Sequence, residues 1–203
     1  HKTMPQAIKQ LLGNGSSIDA LMCPGHVAAI TGAEAFDFVA DELKLPAAVA
    51  GFEAYDIMAA ILRIMHMLRY GERKCVNMYP RAVTKYGNKE ALSLIYKVFE
   101  PCDSAWRGLG TIKRSGLGIK ECYRKFNAIH RFNISPNDIK EAKGCICDRI
   151  LCGKSIPTDC LNFGRECTPN RPLGPCMVSS EGSCAVYYRY GDTYQKVKQG
   201  TSS

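Results

Sequence analysis

The chain has 203 residues, of which 46% are hydrophobic and 23% charged, as in an ordinary globular protein. No apolar run approaches the roughly 18 residues that a membrane span needs, and no signal-peptide pattern opens the chain. We therefore expect a soluble, cytoplasmic protein with no membrane partner. The net charge is +8, but Lys and Arg are scattered, so we expect no nucleic-acid partner; an acidic protein would suit the charge.

The first hundred residues alternate between amphipathic and short apolar segments. Apolar periodicity predicts helices over residues 4–12, 34–43, 54–70 and 89–99, and apolar runs predict buried strands over residues 18–22, 47–50 and 75–79. Strand, glycine loop, helix and strand again is the order found in parallel α/β sheets. The predicted fold class is therefore α/β, with a parallel, Rossmann-like sheet.

Two of these helices carry more specific predictions. In the helix over residues 54–70, we expect the inward face to consist of Ile57, Ile61, Ile64, Met65 and Leu68. Asn88 is expected to cap the helix over residues 89–99, because its side chain can accept a hydrogen bond from a first-turn amide.

Ligands of parallel α/β sheets gather at the carboxyl ends of the strands. Two such ends carry distinctive residues here, in a turn-forming loop over residues 23–26 and a glycine loop over residues 51–53. His26 is either a cleft residue or a loop histidine bound to backbone, and Glu53 either a cleft residue or an ordinary carboxylate at a helix start. Neither loop has the Gly-x-Gly-x-x-Gly pattern, so a dinucleotide site is not supported. Cys23 is expected to be a small buried residue.

The amino-acid composition changes twice in the remainder of the chain. Residues 101–119 are rich in glycine and predict an ordered connection, and residues 135–143 form a polar stretch. We therefore predict two domains, an α/β domain with its connecting segment over residues 1–135 and a cysteine-rich domain over residues 136–203.

The cysteines are the unusual part of the composition. There are 11 of them, and seven crowd between Cys145 and Cys184 with the spacing C-x-C-x4-C-x7-C-x6-C-x8-C-x7-C. The odd number, the chain length and the dispersed single thiols argue against a secreted disulfide scaffold. In a reducing compartment such a cluster more often indicates metal or redox chemistry.

Three interpretations of the cysteine cluster remain open on spacing alone. Structural zinc usually shows paired C-x2-C knuckles, and none is present. An iron–sulfur cluster tolerates wide, irregular spacing because it needs only four thiolates that converge in space. The third interpretation is a set of unligated cysteines.

Several strings in the chain resemble the HypD family of hydrogenase maturation factors. The most specific is Met177-Val178-Ser179-Ser180-Glu181-Gly182, within residues 174–185. Further matching strings are residues 24–27, 51–53 with 56–57, 81–83, 87–88, 98–100, 106–110, 157–169 and 187–190. The resemblance therefore covers almost the whole chain.

The resemblance implies both a function and a set of partners. Members of this family help to build the Fe(CN)2CO unit of NiFe hydrogenases together with a HypC-like chaperone and a HypE-like cyanide donor. They carry a 4Fe-4S cluster in the C-terminal domain. They also have an N-terminal domain with a Cys-Gly-Thr-His-Glu motif, which does not occur here, so we expect a fragment of the full-length protein.

The resemblance also implies ligands for the cluster. Cys160, Cys167 and Cys184 match its motifs best, and Cys145 is the preferred fourth ligand. The alternates for ligation are Cys147 and Cys176. The tyrosines that follow, Tyr187, Tyr188 and Tyr190, are expected to shield the cluster from water.

The predicted activity is that of a redox-active assembly scaffold rather than of an enzyme that turns over a small substrate. A transient Fe(CN)2CO iron would be a second cofactor of the full-length protein, in a cleft that His26 and Glu53 could line. The alternatives are an iron–sulfur disulfide reductase and a zinc-stabilised binding module.

Overall fold

The computed structural model describes residues 3–13, 16–106, 109–134 and 143–200, with side chains through residue 191. The chain divides into two compact units. The first comprises His1–Ser104 with Ile112–Ser135, and the second comprises Ala105–Thr111 with Pro136–Ser203. The polar stretch predicted over residues 135–143 falls almost entirely outside the described residues, and the domain boundary placed there stays a prediction.

The first unit is built on a three-stranded parallel sheet. Its strands are β1 (Leu21–Pro24), β2 (Ala47–Ala50) and β3 (Cys75–Asn77), in the order β1-β2-β3. Leu21 lies beside Ala47, which in turn lies beside Cys75. All four residues of β2 are buried, as a central strand covered on both faces requires. The predicted α/β class with a parallel sheet is confirmed.

Helices surround this sheet in chain order. They are α1 (Met4–Gly13), α2 (Gly25–Thr31), a 3-10 helix (Ala33–Phe36), α3 (Phe38–Asp41), α4 (Ala54–Tyr70) and α5 (Lys89–Val98). One apolar cluster joins Val49 of β2 to Ala28, Phe36 and Val39, and a second joins Ala48 and Ala50 to Ala60 of α4. Because alternate residues of β2 enter different clusters, the core lies on both faces of the sheet.

The bounds of α4 agree with the predicted helix over residues 54–70, but its inward face was predicted wrongly. The buried residues are Asp56, Ala60 and Met67, whereas Ile61, Met65 and Leu68 are exposed. Ile64 does pack against the second cluster, as expected. The helix is apolar on several sides, so periodicity could not identify which side is buried. The side that carries the small Ala60 packs against the alanines of β2.

The segment after β1 also departs from the prediction. The loop expected at His26 is instead the start of α2, and the helix expected over residues 34–43 is split into a 3-10 helix and the short α3. The amides of Ala33 and Glu34 donate to the carbonyls of Thr84 and Lys85, at 3.1 and 3.2 Å. These long-range bonds hold the chain in a path that local periodicity does not encode.

Beyond α5 the glycine-rich segment is not a simple connection. It forms β4 (Phe99–Trp106) and β5 (Gly110–Ile119), which pair in their own sheet. A 3-10 helix (Glu121–Phe126) and α6 (Ala128–Arg131) follow. The Asn88 cap of α5 is confirmed, because the Ala91 amide donates to Asn88 Oδ1 at 2.9 Å.

The second unit has mostly short helices and a core that consists mainly of cysteine side chains. Its elements are α7 (Cys147–Leu151), a 3-10 helix (Pro157–Asp159), α8 (Pro175–Val178) and α9 (Ser183–Gly200). The buried residues of its hydrophobic cluster are Cys147, Ile150, Cys167, Cys176, Met177, Cys184 and Ala185. Over the part of the chain that is described, none of the helices has the length and apolar character needed to cross a bilayer.

Candidate functional site

Six cysteines of the second unit line a single pocket. Their positions come from different elements, since α7 carries one, α8 another and α9 a third, while the rest lie in the intervening loops. The cysteines are Cys145, Cys147, Cys160, Cys167, Cys176 and Cys184. The structure thus brings together all four predicted ligands and both alternates.

Four of these cysteines are free thiols that influence one another. Burial first, and then charge repulsion from the nearby Cys167, Cys160 and Cys145, together raise the pKa of Cys184 to about 11. The pKa of Cys145 is raised by burial first and then by Cys160 and Cys167. Repulsion of this kind acts only over short distances, so the four predicted ligands form one group. Each of them would release its proton on binding a metal.

The two alternates are joined to each other. Cys147 and Cys176, the predicted alternates for ligation, form a disulfide with each other. The Cys176 amide also donates to Cys147 Sγ at 3.3 Å. While the disulfide is closed, neither cysteine can supply a thiolate ligand. Sequence spacing could not reveal this pairing because the two residues are 29 positions apart.

Backbone groups approach three of the four thiols closely. The Leu173 amide donates to Cys167 Sγ at 3.4 Å, and Cys160 Sγ donates to the Gly144 carbonyl at 3.7 Å. A side chain at Gly174 would collide with the sulfur of Cys145, so that position needs a glycine. Amide hydrogen bonds to sulfur are among the contacts by which a protein sets the potential of an iron–sulfur cluster.

The thiols are not arranged for a single metal ion. Among the described residues, no group of three or more His, Cys, Asp or Glu side chains is close enough to hold one ion. Four sulfurs on one zinc lie within about 4 Å of each other, because each Zn–S bond is about 2.3 Å.

Aromatic side chains border the pocket on one side. Phe163 lines it, and Tyr187 and Tyr188 meet the Phe163 ring edge-on at 6.1 and 6.0 Å. These two tyrosines therefore back the pocket wall through Phe163. Tyr188 and Tyr190 are both partly exposed to solvent, and the shielding of a cluster by these tyrosines stays a prediction.

The strand ends of the first unit form a separate group of polar residues. His26 is the second residue of α2, and its ring lies 4.3 Å from that of Phe52. Glu53 follows Phe52 directly and stands, well exposed, just before α4. The structure thus brings together the loops after β1 and β2, as the parallel sheet predicts.

Arg81, for which the sequence analysis predicted no role, organises this edge. Arg81 binds the buried carboxylate of Asp56, donates to Glu53 Oε2 at 3.1 Å, and stacks over the Tyr79 ring at 4.5 Å. The hydrogen bond with Arg81 holds the pKa of Asp56 below its usual range, although burial opposes this. The sequence signal for this arginine was that residues 81–83 form one of the strings that resemble the HypD family.

Cys23 and Cys75 belong to the core of the first unit rather than to this edge. Cys23 is buried within the apolar cluster, as predicted, and Cys75 packs against it. A hydrogen bond with Cys75, together with burial, raises the pKa of Cys23 far above its usual value. Cys23 is therefore a protonated core thiol at neutral pH.

Comparison with known proteins bears on both groups of residues. The family model HypD, described as the hydrogenase formation hypA family, matches residues 1–191. The chain belongs to the HypD family. The match spans both the strand-end residues and the six pocket cysteines of this HypD-family chain.

Individual relatives agree with the family assignment. A hydrogenase expression/formation protein of Methanocaldococcus jannaschii is 44% identical over 190 residues, which cover 94% of this chain and 53% of the relative. The hydrogenase maturation factor HypD of Rhodobacter capsulatus is 39% identical over 197 residues, 94% of this chain and 52% of the relative. HypD of Azotobacter vinelandii is 37% identical over 204 residues, 97% and 54%. This chain thus spans about half the length of these relatives.

Proposed function

We propose that this HypD-family chain is the cluster-bearing part of a cytoplasmic scaffold that matures NiFe hydrogenases. In this proposal Cys145, Cys160, Cys167 and Cys184 hold a 4Fe-4S cluster, and the first unit is a Rossmann-like domain. The scaffold assists assembly of the Fe(CN)2CO unit together with a HypC-like chaperone and a HypE-like cyanide donor. The observation that carries the proposal is the separation of six pocket cysteines into four free thiols and one bonded pair.

The donor set fits such a cluster. Thiolates are the preferred ligands of iron–sulfur clusters, and four free thiols from well-separated parts of the sequence share one pocket. Buried Cys167 and Cys184 keep water away, and the Leu173 amide supplies a hydrogen bond to sulfur. When bound, a 4Fe-4S cluster supplies one-electron transfer at a potential that such contacts tune.

The residues of the chain have distinct tasks in this proposal. The four thiols give up their protons and hold the metal, while Phe163 and Met177 form apolar walls of the pocket. At the strand ends, His26 and Glu53 face solvent beside Phe52, where they would line the cleft for the iron unit. Arg81 fixes Glu53 in place from the third strand end.

Metal analysis of anaerobically purified protein tests the cluster. We expect about four irons and four sulfides per chain, and loss of both in Cys160→Ala, Cys167→Ala and Cys184→Ala. Cys102→Ala is the matched control, because Cys102 is an exposed free thiol outside the pocket and its loss should leave the iron unchanged.

Two results would contradict the cluster assignment. One zinc and no sulfide per chain would favour the zinc-stabilised binding module. Iron retained in the Cys160, Cys167 and Cys184 variants but lost with Cys147→Ala or Cys176→Ala would transfer ligation to the bonded pair. Docking of the partners is tested separately, by co-purification with the HypC-like and HypE-like proteins of the same cell.

The Cys147–Cys176 disulfide favours a second function, that of an iron–sulfur disulfide reductase. Opening this disulfide breaks one S–S bond, consumes two electrons and two protons, and yields two thiols. The reductant would be a one-electron protein donor such as a ferredoxin. The bonded pair lines the same pocket as the four thiols, which would suit electron delivery to it.

Thiol counting distinguishes the two functions. If the pair is redox-active, dithionite should expose two additional alkylatable cysteines, and peptide mapping should place them at Cys147 and Cys176. A reductase should also transfer these electrons to a disulfide substrate with repeated turnover, and Cys176→Ser should abolish the transfer without removing iron. Reduction without turnover would leave only the scaffold role.

A further inference from the structure

One side chain connects two of the segments that carry the pocket cysteines. Asn162 lies between Cys160 and Cys167 in the sequence, and it lines the pocket itself. Its side-chain amide donates to the Lys143 carbonyl at 3.1 Å, across 19 positions of sequence. Because the partner is a carbonyl oxygen, only the NH2 group of the amide can make this bond. Asn162 thus joins the loop of Cys160 and Cys167 to the segment that leads into Cys145.

The loop that carries Asn162 is closed by its own backbone. The Cys167 amide donates to the Asn162 carbonyl at 2.8 Å, and the Phe163 amide donates to the Cys160 carbonyl at 2.9 Å. The Gly164 amide donates to the Cys167 carbonyl at 3.0 Å. Because the backbone at Asn162 is already ordered by these bonds, its side chain loses little further conformational entropy when it binds Lys143.

The segment that Asn162 contacts turns sharply just before Cys145. Gly144 has a φ of +76°, in the left-handed region that favours glycine. A Cβ at Gly144 would lie 3.4 Å from Nδ2 of Asn162, so the amide group packs directly against this turn. The direction in which the chain enters Cys145 therefore depends on the contact with Asn162.

A second hydrogen bond joins the same two parts of the chain, but it cannot persist in a metal site. Cys160 Sγ donates to the Gly144 carbonyl at 3.7 Å. A cysteine binds metal as its thiolate, which has no proton to donate. Of these two hydrogen bonds, the one from Asn162 is therefore the one that metal binding leaves intact.

We infer that Asn162 is a positioning residue that holds Cys145 in place beside Cys160 and Cys167 for metal binding. This role rests on the proposed function, in which these three cysteines and Cys184 hold a cluster. The Asn162 side chain donates to the segment before Cys145, whereas Cys184 belongs to α9. Loss of the amide should therefore affect Cys145 and spare Cys184.

Thiol labelling of the whole chain, with iron removed by a chelator, tests the positioning. Asn162→Ala removes the amide, and Asn162→Asp keeps its shape but cannot donate at neutral pH. Each variant should raise the rate at which iodoacetamide labels Cys145 on the order of fivefold, the effect of one lost hydrogen bond, and leave Cys184 unchanged. Ser179→Ala is the matched control, because Ser179 Oγ accepts a bond from the Glu181 amide in a different loop. Its Cys145 labelling should equal that of the wild type.

Iron release and electron paramagnetic resonance test the same residue in the loaded protein. A chelator should remove iron from Asn162→Ala and Asn162→Asp on the order of fivefold faster than from the wild type. The resonance spectrum of the reduced cluster should change in both variants, because one thiolate is reoriented. Ser179→Ala should match the wild type in both measurements, and circular dichroism should show all three variants folded.

The outcomes distinguish failure of the Asn162 role from failure of the proposed function. Wild-type iron release and wild-type Cys145 labelling in both Asn162 variants would overturn the role and leave the cluster assignment standing. An Asn162→Asp variant that behaves like the wild type would also overturn it, because only the shape of the side chain would then matter. Equal acceleration of labelling at Cys145 and Cys184 would overturn it as well, since the whole unit would have loosened. A wild-type chain that holds no iron contradicts the proposed function, and Cys145 labelling then decides the role of Asn162 by itself.

Discussion

Arg81 donates to both carboxylate oxygens of the buried Asp56, at 2.6 and 2.7 Å. The bond joins the segment after β3 to the first turn of α4, which begins immediately after the loop that follows β2. Arg81 also holds Glu53, so a single guanidinium connects two of the three strand ends. The geometry of the strand-end group therefore depends on this ion pair.

Replacement of Asp56 by asparagine should destabilise the first unit in a pH-dependent way. Arg81 lowers the pKa of Asp56 in the folded state, so the pair stabilises the fold above the unfolded carboxyl pKa of about 3.9. This contribution is lost as the pH falls through the folded pKa. We expect Asp56→Asn to lower the Tm by several degrees at pH 7 and to converge with the wild type at acidic pH.

Glu53→Gln is the control for this experiment. Glu53 contacts the same arginine but is largely exposed, and exposed ion pairs contribute little to stability. Its Tm should follow that of the wild type at every pH. Equal decreases in Tm for Asp56→Asn and Glu53→Gln would mean that the buried Arg81–Asp56 pair stabilises the fold no more than the exposed Arg81–Glu53 pair.

Gly25 should not tolerate a side chain. A Cβ there would meet the Ala50 carbonyl and approach the Tyr79 ring to 2.7 Å, so β2 and the strand-end loops would have to shift. Overpacking of this kind costs about 1–3 kcal/mol. We expect Gly25→Ala to lower the free energy of unfolding by that amount in urea titrations. Gly13→Ala, with open space around its Cβ, should have no such effect.

The two faces of α4 should respond differently to the loss of a methionine side chain. Met67 is fully buried, so Met67→Ala should cost about 2–5 kcal/mol of unfolding free energy. Met65 is exposed, and Met65→Ala should change it by less than about 0.5 kcal/mol. Similar losses of unfolding free energy in the two variants would contradict the assignment of Met67 to the buried face of α4.

Cys23 should be protected from alkylation in the native protein. It is buried, and its pKa is raised by the hydrogen bond with Cys75 and by burial, so the reactive thiolate is scarce. Iodoacetamide at pH 8 should label exposed Cys102 at least roughly tenfold faster than Cys23. Peptide mass spectrometry measures both rates, and in urea the difference should disappear. Rapid labelling of native Cys23 would place that thiol at the surface.

The sequence by itself determined the features that follow from local pattern. A short apolar run after Pro46 and before a glycine loop favours a buried strand, and β2 lies where it was predicted. Apolar periodicity predicted the bounds of α4, and Asn88 was correctly predicted as the N-cap of α5. The spacing of the cysteines identified the region of the pocket, although the choice among ligands came from resemblance to a family.

Only the tertiary structure decided which distant residues meet. Two cysteines 29 positions apart form a pair, and an arginine neutralises an aspartate 25 positions away. The buried face of α4 could not be predicted from the sequence either, because a helix that is apolar on several sides has no pattern that selects one side. Residue spacing determines which side of a helix or strand a side chain lies on. It does not determine which other element packs against that side, because that depends on the tertiary fold.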